Sequence, residues 1–186
     1  MKVVVAGGTG LLGSRVVERL RDRGDEPVVA ARSTGVDLVT GTGLEQALDE
    51  AEAVVDLSNL STISRSRAER FFEAGTTRLL RAAHRAGVGH LISLSIVGAD
   101  RIDYGYYLGK RRQEQLVAAG PVPWTLLRST QFHEFASQVL AMGRGPLVPC
   151  PVMLCRPVSA DEVADRIVEL LGAGPAGVTD PIAGPK

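Results

Sequence analysis

The segment from Val3 to Gly13 constrains this chain more than any other. Val3-Val4-Val5-Ala6 is continuously apolar and rich in β-branched residues, and Gly7-Gly8-Thr9-Gly10-Leu11-Leu12-Gly13 follows it directly. An apolar run without alternation reads as a strand buried on both faces, the habit of parallel sheets. Beyond the glycines, Leu12, Val16 and Leu20 recur at helical spacing, and Gly24 stops that helix. The glycines satisfy Gly-x-Gly-x-x-Gly at Gly8, Gly10 and Gly13, and Gly-x-x-Gly-x-x-Gly at Gly7, Gly10 and Gly13. Between a strand and a helix, glycine serves a tight turn, close approach of a pyrophosphate, and close packing of helix on strand. A helix starting at Leu11 also presents free amides and a positive dipole end to phosphates. The segment therefore predicts a dinucleotide phosphate loop made by Gly7, Thr9, Gly10, Leu11, Leu12 and Gly13.

The rest of the chain continues the alternation. Val28-Val29-Ala30-Ala31 reads as a second buried strand, and Val36-Asp37-Leu38-Val39 as a candidate third. Leu44, Ala47 and Leu48 suggest a short helix, followed by a strand at Ala53-Val54-Val55-Asp56-Leu57. Ser58 to Ser66 is polar and reads as a loop. Phe71, Phe72, Leu79, Leu80 and Ala83 mark a longer helix ending near Gly87. A strand at Leu91-Ile92-Ser93-Leu94, a helix from Tyr106 to Ala119 and a strand at Trp124-Thr125-Leu126-Leu127 come next. Phe132, Phe135, Val139 and Leu140 suggest one more helix. After a Gly- and Pro-rich stretch from Gly143 to Pro157, Ser159 and Glu162 form a capping box before Val163, Ile167, Leu170 and Leu171. Strands alternating with helices predict an α/β chain. The expected architecture is a single Rossmann-like, doubly wound parallel sheet with helices on both faces, over residues 1–186.

Charge and composition narrow the function. Lys+Arg and Asp+Glu are both 21, so the formal net charge is zero. That balance gives no general attraction to nucleic acid or to an anionic membrane, and a bound anion must be held by a local site. The two cysteines, Cys150 and Cys155, are too few for a disulfide framework or a tetrahedral zinc site, and no His/Cys/Asp/Glu grouping has metal spacing. A reducing, cytoplasmic setting is expected. The first residues are too short an apolar run for a signal peptide, and no apolar stretch spans a bilayer. Arg65, Arg67 and Arg70, beside Glu69 and Glu73, read as a solvated helix start. His84 and His90 flank a helix end, where charge and dipole agree.

A site that prefers NAD carries Asp or Glu at the end of the second strand. Asp25 and Glu26 lie at its wrong end, whereas its exit reads Ala31-Arg32-Ser33. Arg32 suits a 2′-phosphate by charge and by stacking on adenine, and Ser33 adds a hydroxyl donor. NADP(H) is thus expected over NAD(H). Asn59 follows the strand that ends near Leu57, as a cofactor contact or as a turn residue.

Two later segments carry more chemistry: Ser93-Leu94-Ser95-Ile96-Val97-Gly98 and Gly105-Tyr106-Tyr107-Leu108-Gly109-Lys110. Tyr106 and Lys110 are four apart and share a helix face. With Gly-Gly-Thr-Gly-Leu-Leu-Gly and Arg128-Ser129-Thr130-Gln131-Phe132-His133-Glu134-Phe135, they make the chain resemble the short-chain dehydrogenase/reductase superfamily, in particular its atypical NmrA-like NAD(P)H-binding branch. The resemblance runs from Met1 to about Gly184. It implies Ser95, Tyr106 and Lys110 as the catalytic Ser/Tyr/Lys set, with Lys110 also on the nicotinamide ribose. Thr130, Gln131 and Phe132 would line the substrate pocket, within cleft elements spanning about residues 128–186. In such a set the ammonium lowers the phenol's pKa, and Ser orients the substrate oxygen. Ser93 is an alternative to Ser95, and Tyr104 and Tyr107 flank Tyr106. Thr130 alternatively caps the next helix, and His133 is a packing residue or a substrate contact.

The implied activity is hydride transfer from NADPH to a small carbonyl compound or quinone. The competing reading is a non-catalytic NAD(P)(H) redox sensor, and a nucleotide-sugar epimerase or dehydratase stands third. A homodimer is a further expectation. Relatives in that branch continue past the equivalent of Gly184, so a chain ending at Lys186 is expected to be a compact, open-cleft variant or part of a longer one.

Overall fold

The computed structural model describes residues 1–135 and 156–185. The elements are β1 (Lys2–Ala6), α1 (Leu11–Asp22), β2 (Glu26–Ala30), α2 (Leu44–Leu48), β3 (Ala53–Asp56), α3 (Arg65–Arg85), β4 (His90–Ile96), α4 (Gly105–Ala118), β5 (Trp124–Ser129), α5 (Ala160–Ala173) and β6 (Gly177–Val178). The described strands are all parallel, in the order β2-β1-β3-β4-β5-β6. Because β2 lies on one side of β1 and β3 on the other, the winding reverses there. Such sheets take ligands in a crevice above the carboxyl ends of the strands at that switch, here β1 and β3.

The strands read as doubly buried because they are. Val3 and Val5 face α1 and α5, packing with Val16, Leu20, Val163 and Ile167. Val4 faces the opposite layer, with Leu48, Leu79, Leu80 and Val117. Two apolar layers thus sandwich one sheet. On the outer side of the first layer, Arg15 and Arg19 of α1 pair with Asp161, and Arg19 also with Asp165, tying α1 to α5. The α5 capping box forms as expected: Ser159 Oγ accepts from Asp161 N at 3.1 Å, and Ser159 N donates to Glu162 Oε2 at 3.2 Å. No described helix is long and apolar enough to cross a membrane.

Several expectations need correction. Val36–Val39 is a turn, not a strand. Asp37 Oδ1 accepts from the amides of Val39 and Thr40 at 2.7 and 3.1 Å, and these side-chain bonds replace a ladder. Val36 still enters the core, at 8% exposure, so its hydrophobicity signalled burial without pairing. β2 ends at Ala30, and Ala31 instead caps a 3-10 turn over Arg32–Thr34. The polar loop gives way to α3 at Arg65. His90 opens β4, buried, with Nε2 2.8 Å from Thr125 Oγ1, and burial holds its pKa below the ordinary value. It is therefore a hydrogen-bonded core histidine and not a charge at a helix end. The two-residue β6 has no apolar run to announce it. The helix expected from Phe132 to Leu140 lies outside the described residues beyond Phe135, as do both cysteines.

Gly109 sets how closely α4 rides on α3. A Cβ there would lie 2.8 Å from Ala68 Cβ and from Phe72 Cδ2. Overpacking of this kind costs about 1–3 kcal/mol. Gly109→Ala is expected to lower the urea unfolding free energy by that amount.

Candidate cofactor and active site

The glycine turn leaves β1 and folds onto itself. Gly7 has φ +76° and donates to Ala30 O at 2.9 Å, and Gly10 N donates to Gly7 O at 3.0 Å. A Cβ on Gly7 would meet Leu57 O at 2.8 Å, and one on Gly13 would meet Gly7 O at 2.2 Å. Those two glycines are demanded by the chain's own backbone. Gly10 differs: it is exposed, and a Cβ there would meet only Gly7 O, at 3.2 Å. Its smallness keeps the outer face of the turn clear. Ser14 N is the first helical amide to bond back, to Gly10 O, so the amides of Leu11, Leu12 and Gly13 precede the first intrahelical bond. No side chain caps α1, and no acidic residue occupies its first turn. An anion fits this open end.

At the exit of β2, Arg32 and Ser33 are both exposed, and the Arg32 guanidinium has no ion-pair or hydrogen-bond partner among the described residues. The carboxylate that follows in the chain, Asp37, is engaged with its own loop.

The carboxyl ends of β3 and β4 supply the remaining groups. Alternation along β4 puts Ser93 and Ser95 on the α4 side, where Leu91 also packs. Both hydroxyls are buried and lack a partner among the described residues. Asn59 lies in the loop after β3, and its Oδ1 accepts from Tyr106 Oη at 3.0 Å. The Tyr106 ring stands edge-on to Phe72, with centroids 5.8 Å apart. Burial, reinforced by neighbouring Tyr107, pushes the phenol above its ordinary value of 10.0. Lys110 turns inward. Its Nζ donates to Leu94 O at 2.9 Å and to Gln113 Oε1 at 2.7 Å, and lies 4.6 Å from the Phe72 ring centre. Burial lowers its pKa to about 8, against the opposing pull of Asp56 and Glu114.

Sequence spacing thus puts Tyr106 and Lys110 on one helix, but this structure does not join them. No hydrogen bond links Ser95, Tyr106 and Lys110 to one another among the described residues. The expected lowering of the phenol by the ammonium is absent, and its shift is upward. Gln113 bonds Lys110's ammonium directly, and Asp56 reaches it through Gln113; sequence spacing singles out neither residue. Their only signal was an acidic residue ending an otherwise apolar strand.

The Thr130–Phe132 segment is equally mixed. Thr130 Oγ1 donates to Arg156 O at 2.6 Å, tying two chain segments together and not capping a helix. Gln131 Nε2 donates to Tyr107 Oη at 3.4 Å, which ties this segment to α4. Phe132 bridges to Val158 and packs against the α1/α5 core layer, so its ring is largely structural here. His133 is exposed.

A reversed parallel sheet with an open, glycine-built helix start at its switch point defines a dinucleotide-binding domain of the Rossmann type. A profile of the NAD(P)H-binding family matches residues 7–173, and the chain belongs to that family, in the atypical short-chain dehydrogenase/reductase branch. It is 31% identical, over 99% of its length and 68% of the relative's, to a (4-alkanoyl-5-oxo-2,5-dihydrofuran-3-yl)methyl phosphate reductase from Streptomyces griseus. It is 30% identical to a photosystem II assembly factor from Synechocystis, over 53% of this chain and 35% of that one. Among solved structures, a dTDP-glucose 4,6-dehydratase from Streptomyces venezuelae, with NAD and TYD bound, superposes with TM-score 0.80 at 22% identity. That match covers 100% of this chain and 76% of the other. A UDP-N-acetylglucosamine 4-epimerase from Bacillus cereus gives 0.77 at 23%, covering 98% and 75%. The likeness to these two is one of fold.

The buried ammonium makes a testable signature. Lys110 releases its proton near pH 8 in the folded chain, against an ordinary 10.5. Between those values the unfolded chain holds the extra proton, so this group's contribution to stability rises with pH. Wild type is expected to gain stability relative to Lys110→Met from about pH 8 to 10.5, read from urea unfolding at successive pH values.

Proposed function

We propose that this chain binds NADP(H) across the β1–α1 turn and reduces a small carbonyl compound or quinone. The observation that carries the reading is the Ser95 hydroxyl: 3% exposed, without a partner among the described residues, on the strand end that flanks the switch point. A buried polar group left unpaired costs about 1–3 kcal/mol, and a substrate oxygen would satisfy it. Reduced nicotinamide, when bound, supplies a hydride. The residues supply the rest. The amides of Leu11, Leu12 and Gly13 hold the diphosphate, with Gly7, Thr9 and Gly10 shaping the turn. Arg32 and Ser33 take the 2′-phosphate. Asn59 and Lys110 face the ribose side. Ser95 orients the substrate oxygen by donating a hydrogen bond. Tyr106, protonated at neutral pH, exchanges its Asn59 acceptor for that oxygen and delivers the proton. Thr130 and Gln131 border the substrate. The Streptomyces relative adds support, since its name describes a reductase of a compound bearing oxo and alkanoyl groups.

A specific observation favours a second reading, a redox sensor that binds the nucleotide without turnover. Two of Lys110's donors are spent on Leu94 and Gln113, its charge lies over Phe72, and the Tyr106 phenol is made less acidic. NADPH oxidation against a panel of quinones and ketones separates the two. The reductase reading expects turnover, and Tyr106→Phe is expected to lower kcat by about 10²–10⁴-fold, the usual worth of a general acid. Binding without turnover by any panel member supports the sensor.

For the nucleotide, Arg32→Ala is expected to weaken NADPH about 10- to 100-fold in calorimetric titration, the worth of a charge-assisted hydrogen bond. NADH affinity is expected to be unaltered. An unchanged NADPH-to-NADH ratio would remove Arg32 from the 2′-phosphate role.

A further inference from the structure

We propose that Asp56 and Gln113 are positioning residues for Lys110, the Gln113 amide passing the Asp56 charge across the core to the ammonium. The three side chains form a continuous buried line: Asp56 is 1% exposed, Gln113 0% and Lys110 5%. Asp56 Oδ2 accepts from Gln113 Nε2 at 2.8 Å, and Gln113 Oε1 accepts from Lys110 Nζ at 2.7 Å. The amide has one workable orientation, because a carboxylate only accepts and an ammonium only donates. Its dipole therefore lies along the line from negative to positive charge. The other Asp56 oxygen accepts from Ser58 N at 3.0 Å, anchoring the carboxylate at the carboxyl end of β3. Lys110 is anchored at its far side by Leu94 O of β4.

The other groups around Lys110 do not replace this line. Glu114, on the same helix, is held by Arg128 of β5 through bonds of 2.9 and 2.6 Å. Its charge is thereby countered. From α3 the contact is the uncharged Phe72 ring. Asp56 is left as the uncompensated counter-charge, two bonds away through Gln113.

Stability alone does not call for such an arrangement. Buried charge pairs are often no better than well-packed apolar side chains, although removing one partner is strongly destabilising. What the line does achieve is a charged ammonium at a fixed point one helical turn beyond Tyr106, beneath the crevice. That Lys110 meets the nucleotide ribose rests on the function proposed above, whereas the relay itself does not.

The chain contains three lysines, Lys2, Lys110 and Lys186, so the 186-residue chain labelled with ¹³Cε-lysine gives three resonances. Lys110→Arg identifies the Lys110 signal by its loss. In wild type that signal is expected to titrate near pH 8. Asp56→Asn keeps a hydrogen-bonding group and removes the charge, and is expected to lower the midpoint by about one pH unit or more. Gln113→Met removes the bridging amide at similar volume and is expected to lower the midpoint as well. Circular dichroism checks folding, and either variant alone decides the matter should the other not fold. A midpoint unmoved in a folded variant overturns the relay. Added NADPH gives a separate reading. If the midpoints move as expected but saturating NADPH leaves the Lys110 resonance in place, the relay stands and the ribose contact falls.

Discussion

The close approach of Gly13 to Gly7 is the constraint on which the rest of the architecture depends. Any side chain at residue 13 would strike the Gly7 carbonyl, so only glycine lets α1 start tight against the end of β1. That approach aims the first amides of α1 over the switch point and not along the sheet. It also sets α1 where Val16 and Leu20 cover Val3 and Val5, which fixes one of the two core layers. Gly7, with positive φ and Leu57 O pressed against it, ties the same turn to the end of β3. One backbone contact thus joins β1, α1 and β3 and creates the crevice between them.

The opposite layer obeys a different logic. There the helices α3 and α4 pack closely through Gly109 and Gly105, whose absent side chains make room for Phe72, Ala68 and the Ile63 carbonyl. This intimacy brings the Phe72 ring into contact with both Tyr106 and Lys110. Both groups are set chiefly by burial, and neither figures among the causes of the other's shift. The helix periodicity that puts both on one face says nothing about what fills the space between them.

Much of the fold was legible for a physical reason. Parallel strands covered on both faces must be continuously apolar, and Val3–Ala6, Ala53–Val55 and Leu91–Ile92 announce themselves that way. The Ser159–Glu162 box was equally plain, because it is a local hydrogen-bond pattern. Val36–Val39 misled because apolar content reports burial, while ladder pairing depends on a neighbouring strand that the sheet order does not provide. The site was legible where its chemistry is backbone chemistry, in the glycine turn. It was not legible where it depends on tertiary neighbours. Asp56, Gln113 and Lys110 come from two elements far apart in the chain, and spacing cannot foretell that an amide will bridge a carboxylate to an ammonium. Phe132 resembled a pocket residue by its position after β5, yet its register with Val158 turns it toward the core.

The two margins of the sheet carry a consequence of their own. β2 forms one border, and the Glu26-Pro27 pair opens it, Pro27 lying opposite Val3 in the register. β6 forms the other, only two residues long and set between Pro175 and Pro181. A proline has no amide hydrogen to offer a newcomer, and two residues are too few to template one. Both borders are poor seeds for strand-by-strand stacking of one molecule on another, so the valines of the described sheet stay paired inward and are not offered to a neighbour's strand.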